Sequence, residues 1–260
     1  MAYPTLTLEH GNVRAEVVPQ RGCLVARLRV DGVEVLYLDR ATVDDPEQSV
    51  RGGIPLLFPF AGRLKDDRLL DAGTSLRQHG FARHMAWSLT ESRPGQLRFS
   101  LADTEQTRAV YPHAFTADHV LTVLPRGLQM ELVVVNRGSA PLPLSPGWHP
   151  YFRCPSAQKP RIRTDVPGLD PARFLPDAEF DFGVPAPADG RAAFDLPGLG
   201  RLRLTHSAQM RFLQCWSLPG RDFVCLEPFW GPNDTLNTPL RLQLPAGAGH
   251  TLCLRIEVDA

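Results

Sequence analysis

Apolar and polar residues alternate along most of this 260-residue chain, and a period of two is the period of a half-buried strand. LVARLRV at 24–30 and VEVLYL at 33–38 flank Asp31-Gly32, a dipeptide that accepts the positive φ angles of a tight hairpin. DHVLTVL at 118–124 and LQMELVVV at 128–135 flank Pro125-Arg126-Gly127 and predict a second hairpin. TLTLE, VRAEVV, QLRFSL, RLRLT, MRFLQCW, DFVCLE, LRLQL and TLCLRIEV are further strand candidates. Helical periodicity is confined to DTEQTRAV at 103–110, which Tyr111-Pro112 should stop. The 25 prolines and 21 glycines are spread as turn punctuation, not gathered into a linker. The least regular stretch, 153–200, reads as a loop region over one rim of the sheets, the alternative being a boundary between halves. The expected architecture is all-β, with large antiparallel sheets stacked in a single domain over 1–260.

Charge and cysteine usage narrow the classes of partner. Twenty-eight cations balance 28 acids, so no basic field exists to hold nucleic acid or an anionic membrane. No run of 18 apolar residues predicts a membrane span, and MAYPTLTLEH lacks the basic and apolar regions of a signal peptide. The expected compartment is therefore the cytoplasm. Cys23, Cys154, Cys215, Cys225 and Cys253 form no CxxC pair, which argues for buried free thiols over disulfides or a zinc site.

Proton-handling groups sit inside apolar, backbone-fixed segments. In SPGWHPYF, His149 lies among Trp148, Tyr151 and Phe152, a setting for a general acid or base and equally for a core histidine. Glu227 lies at the end of DFVCLE, where Pro228 should end the strand; a buried acid there is costly unless paired or used. His79 in QHGFAR precedes Gly80, which lets backbone approach a ligand, and Arg83 follows four positions on; alternatively these are a surface turn and a rim salt bridge. Arg63 follows GGIPLLFPFAG as a ligand cation or a solvated strand-end charge. Trp148 and Trp230 are candidate aromatic platforms for a ligand or core residues.

Taken together, RGGIPLLFPFAGR at 51–63, QHGFAR at 78–83, TRAVYPHAF at 107–115, GWHPYF at 147–152 and CLEPFWGPNDTLNT at 225–238 occur in an order that resembles the aldose 1-epimerase (galactose mutarotase-like) family. The likeness is nearest to its bacterial aldose epimerase-like and hexose-6-phosphate 1-epimerase branch. The resemblance implies a β-supersandwich with a sugar in an open cleft. It implies His149 as general acid, Glu227 as general base, and His79 and Arg63 as substrate-binding groups. For the family's sugar-binding aspartate, Asp181 in EFDFG and Asp234 in GPNDT both stay open.

The function so implied is interconversion of the α and β anomers of a hexose or hexose phosphate, with no metal, nucleotide or redox cofactor required. Burial should raise the pKa of Glu227, while a neighbouring carboxylate should favour imidazolium on His149. Arg83 would meet a 6-phosphate, and the partner is a small sugar or sugar phosphate; oligomeric state stays open. The alternative is a non-catalytic carbohydrate-binding protein on the same fold, and a further rival is a metal enzyme using His79, His149 and Glu227.

Overall fold

A computed structural model describes residues 3–259. Antiparallel strands dominate it, as the period-two patterning requires. An eight-stranded sheet runs in the order Arg163–Thr164, Arg191–Leu196, Gly200–His206, Gly249–Asp259, Gly127–Asn136, Phe115–Leu124, Gln96–Ala102, Ser88–Arg93. A six-stranded sheet runs Phe180–Pro185, Phe212–Ser217, Phe223–Phe229, Gly147–Trp148, Leu56–Leu57, with Tyr151–Arg153 also paired to Phe223–Phe229. A four-stranded sheet from Leu6 to Glu34 and the segment that follows it lie beside this second sheet, linked by the isolated bridges Val25–Ile54, Leu36–Phe152 and Leu38–Gly52. One apolar cluster, reaching from Leu8 to Val258, draws side chains from all three sheets.

Local chemistry explains the turns. Asp31 and Gly32 both have positive φ, 50° and 80°, the backbone that a two-residue hairpin needs. The second hairpin is tighter than expected. Leu124 pairs directly with Gly127, so the loop is Pro125-Arg126 alone and Gly127 is the first strand residue. A Cβ at Gly127 would lie 1.8 Å from the Ile256 carbonyl oxygen, so close strand approach selects glycine there. The expected helical turn forms as Glu105–Val110, where the Thr104 hydroxyl accepts from the Thr107 amide and the Thr107 hydroxyl from the Thr104 amide.

Two expectations change. The 153–200 stretch is not loop alone: it holds Arg163–Thr164, Phe180–Pro185 and Arg191–Leu196, which are members of the two large sheets. Its prolines and glycines punctuate short strands, and Phe180, Phe182 and Val184 are buried at alternate positions. Pro228 does not end its strand, because Leu213 pairs with Pro228 and the strand continues to Phe229.

The strand Phe223–Phe229 is buried on both faces. Val224 and Leu226 enter the main core, while Phe223, Cys225 and Phe229 join smaller clusters on the opposite face. Register carries that second face across the sheet. Asp181, Trp216, Cys225 and Tyr151 form one cross-strand row; Gly183, Gln214 and Glu227 form the next. A Cβ on Gly183 would strike the Phe212 ring at 2.0 Å, so glycine lets that row close up.

Candidate functional site

These rows floor an open cleft of about 380 Å³, at the small end of the ligand-site range of about 300–1,000 Å³. Separate elements bring its buried titratable groups together. Glu227 rises from the centre of its strand and is 1% exposed. His149 sits between the short strands Gly147–Trp148 and Tyr151–Arg153, its amide donating to the Pro55 carbonyl at 3.0 Å. Its Nε2 lies 3.3 Å from Glu227 Oε2. The ring is clamped by Tyr151, stacked 4.7 Å away, and by the edge-on Trp216.

Burial sets the charge of this pair. It pushes the Glu227 carboxyl well above the usual range, helped by Asp181 and opposed by Arg83. Burial also pulls His149 down to about 3, with Arg83 and Arg51 adding repulsion. The rise expected for Glu227 is found, whereas His149 is lowered and not raised, because burial first and then Arg83 and Arg51 disfavour the imidazolium. The two groups touch and therefore titrate as a unit.

His79 also faces the cleft, 6% exposed, with a left-handed φ of 69°. The Gly62 amide donates to its Nδ1 at 3.0 Å. Burial and Arg83 hold the ring neutral, so Nε2 carries the proton and is its donor. Arg63 lines the cleft with its side chain exposed, while its amide donates to Asn233 Oδ1 at 2.9 Å. Arg83 reaches the same cleft and donates to the Gln78 carbonyl at 3.1 Å; burial lowers its pKa to about 10. Within the floor rows, Gln214 donates to Asp181, whose carboxyl burial raises.

The aldose 1-epimerase family profile matches residues 4–195. The chain belongs to the aldose 1-epimerase family. The Slr1438 protein of Synechocystis sp. PCC 6803, a solved structure, is 30% identical, with a TM-score of 0.93 over 99% of this chain and 96% of that one. A galactose mutarotase-like protein from Clostridium acetobutylicum, 16% identical, shares the fold at a TM-score of 0.81, covering 98% of this chain and 95% of that one. A Salmonella typhimurium protein provisionally named glucose-6-phosphate 1-epimerase is 33% identical over 115 residues, 43% of this chain. That match spans only 37% of the relative's length.

Within this aldose 1-epimerase family member, the structure gathers five of the six expected site residues in one cleft: His149, Glu227, Arg63, His79 and Arg83. Trp230 is the exception. It follows Phe229, so strand alternation turns its ring to the other side, where Nε1 donates to the Leu240 carbonyl at 2.8 Å. Trp148 is also outside the cleft, fully buried and donating through Nε1 to His119 Nε2. The cleft tryptophan is Trp216. Of the two open aspartates, Asp181 lines the cleft, whereas Asp234 accepts from the Lys65 amide and Asn237 in a loop. Arg51, Gln214, Trp216 and Asn233 are cleft residues that sequence reasoning missed; the alternation of MRFLQCW held the signal for two of them.

Donors for a metal also exist here. One atom each from His149, Cys225 and Glu227 lies within 4.8 Å of the others, a set that differs from the facial triad weighed from sequence. Cys225 adds a thiol from the row beside Glu227. All five cysteines are free thiols, four of them buried and Cys253 half-buried. Among the described residues no helix is long and apolar enough to cross a membrane.

Proposed function

We propose that this chain is an aldose 1-epimerase, an isomerase that interconverts the α and β anomers of a free or phosphorylated hexose. The observation that carries the reading is the 3.3 Å contact between His149 Nε2 and Glu227 Oε2 on the floor of an open cleft. Mutarotation needs a base at O1 and an acid at O5, and both oxygens are bonded to one carbon. An acid and a base that touch each other can serve two such neighbouring atoms.

The proton inventory of the pair fits the reaction. In the reactive form the shared proton sits on His149 and Glu227 is a carboxylate. Glu227 takes the O1 proton, the O1–H electrons become the C1=O bond, the C1–O5 bond breaks, and O5 receives the proton of His149. The pair is then neutral imidazole and carboxylic acid, the state that burial favours. Rotation about C1–C2 presents the other aldehyde face. O5 then returns its proton to His149 as it attacks C1, and Glu227 protonates O1. The pair ends as it began, and each step moves protons only, so the chemistry calls for no metal or redox group.

Substrate groups have partners in the same cleft. His79 Nε2–H and the Arg63 guanidinium donate to sugar oxygens, Asp181 accepts from hydroxyls, and Trp216 offers an aromatic wall to pyranose C–H groups. The relatives carrying a glucose-6-phosphate 1-epimerase name, together with Arg83, support a phosphorylated hexose as one substrate. The continuous apolar cluster supports reading residues 1–260 as one working unit.

The test is NMR exchange spectroscopy of anomer interconversion over free and 6-phosphorylated aldoses. Catalysed exchange for at least one sugar is expected. Saturable binding without acceleration would instead make the chain a carbohydrate-binding protein.

A further inference from the structure

One wall of the cleft is the end of a loop, and that loop is built around a side chain from elsewhere. Residues 39–51 are closed at their ends: the Asp39 amide donates to the Arg51 carbonyl at 2.8 Å, and Leu38 bridges Gly52. The Thr42 hydroxyl donates to the Asp39 carbonyl at 2.7 Å and accepts from the Arg51 amide at 2.9 Å. Both main-chain groups of Arg51 are therefore tied back into the loop. Ser49, Val50 and Arg51 line the cleft, and the Arg51 guanidinium lies over the Trp216 ring at 5.1 Å.

Apolar packing holds only part of this loop. Val43 is buried with Val18, Leu24 and Ala26, and Leu38 and Val50 pack against that cluster. Main-chain carbonyls that leave water need donors as well. Arg21 supplies them. It is 5% exposed, and its terminal nitrogens donate to the carbonyls of Thr42, Asp45, Pro46 and Gln48 at 2.9–3.4 Å. A guanidinium presents its donors in one rigid planar fork, which a lysine ammonium does not reproduce. The next residue ties the same turn to another cation of the cleft. The Gly22 amide donates to the Met85 carbonyl at 2.9 Å, and a Cβ on Gly22 would stand 2.4 Å from Arg83 Cα.

We propose that Arg21 is a positioning residue of the cleft, setting through the 39–51 loop where Arg51 stands over Trp216. Arg21 itself lies outside the cleft lining, so its influence on a ligand passes through that loop. What Arg51 meets in the cleft rests on the sugar reading above; where Arg51 stands does not.

The test starts without ligand, from the indole signals of the four tryptophans in a nitrogen–proton correlation spectrum of the full chain. Trp216→Phe assigns the Trp216 signal. Arg21→Lys should shift that signal and leave in place those of Trp148 and Trp230, whose indoles bond to His119 and Leu240. In an Arg51→Ala background the same change should add no further shift, because the two residues act in series. Thr42→Val breaks the chain of bonds at its other end and should reproduce the shift, so the result does not depend on one variant folding. An unmoved Trp216 signal in Arg21→Lys, or a shift that persists undiminished beside Arg51→Ala, would overturn the proposal. Calorimetric titration with glucose 6-phosphate gives a second readout. Arg21→Lys should weaken binding about tenfold, comparable to losing one charge-assisted bond, and should weaken it no further once Arg51 is replaced by alanine. Additive losses would contradict the assignment. A chain that exchanged no sugar would defeat the epimerase reading, while the indole signals would still decide this one.

Discussion

The phenol ring of Tyr151 lies flat against the imidazole of His149, with centroids 4.7 Å apart and planes 13° from parallel. Trp216 meets both rings edge-on, and the Arg51 guanidinium covers the outer face of Trp216 at 5.1 Å. The imidazole is thus held in one plane by packing, which is what an acid aimed at a single oxygen requires.

Tyr151→Phe keeps the stack and should leave kcat within about threefold, whereas Tyr151→Ala should lower kcat by at least tenfold with a smaller change in KM. Steady-state anomer exchange on both variants checks this. Equal losses in the two would assign the effect to the phenol oxygen instead.

Removing either member of the proton pair should be far more damaging. Glu227→Gln and His149→Asn are each expected to cut anomer exchange by at least about a hundredfold, within the usual contribution of one general acid or base. Circular dichroism should show an unchanged fold. Near-normal turnover in either variant would mean that other groups move the protons.

Stability should respond to pH with a definite sign. His79, His119 and His149 have folded-state pKa values below that of a free imidazole, about 3 for His119 and His149. Unfolded chains bind protons at these positions below about pH 6.5 while the folded chain refuses them. Tm should therefore fall as pH drops from about 6.5 toward 3. Glu227 acts oppositely: its raised pKa stabilises the fold below the unfolded carboxyl value and that support is lost as pH rises. Glu227→Gln should accordingly melt higher than the unaltered chain at pH 7.5, with the gap closing toward pH 4. Parallel melting curves at all pH values would refute this assignment of charge.

The two tryptophans separate cleanly. Trp216→Ala should raise KM for sugar at least several-fold, because its ring walls the cleft. Trp230→Phe should leave exchange unchanged and cost about 1 kcal/mol of stability from the lost bond to the Leu240 carbonyl. Kinetics and calorimetry on the pair decide between the faces.

Arg83→Ala should weaken hexose 6-phosphates more than free hexoses, since a guanidinium gains most from a doubly charged partner. Competition titrations with both sugars measure the ratio. An equal loss for the two would reduce Arg83 to a wall of the cleft.

Much of this was legible in the residues, for physical reasons. Alternation located the long strands, and Asp31-Gly32 fixed one turn because few other dipeptides accept that backbone. His149 and Glu227 stood out as polar groups set in apolar runs, where burial without purpose is expensive. Trp230 misled because its segment mixes two faces, and which face meets the cleft depends on cross-strand register, a long-range property. Asp181 stayed ambiguous against Asp234 for the same reason: only pairing with Trp216 brings it beside Glu227's row. Arg51 was hidden because its role depends on distant Trp216.

The strand Phe223–Phe229 presents Glu227 and Phe229 to the cleft and Val224 and Leu226 to the core, with no solvent-facing side to absorb a slip. Gaining or losing a single codon there would swing Leu226 or Pro228 into the carboxylate's place and drive the acid into hydrocarbon. Length, as well as composition, is a heritable constraint on that seven-residue stretch.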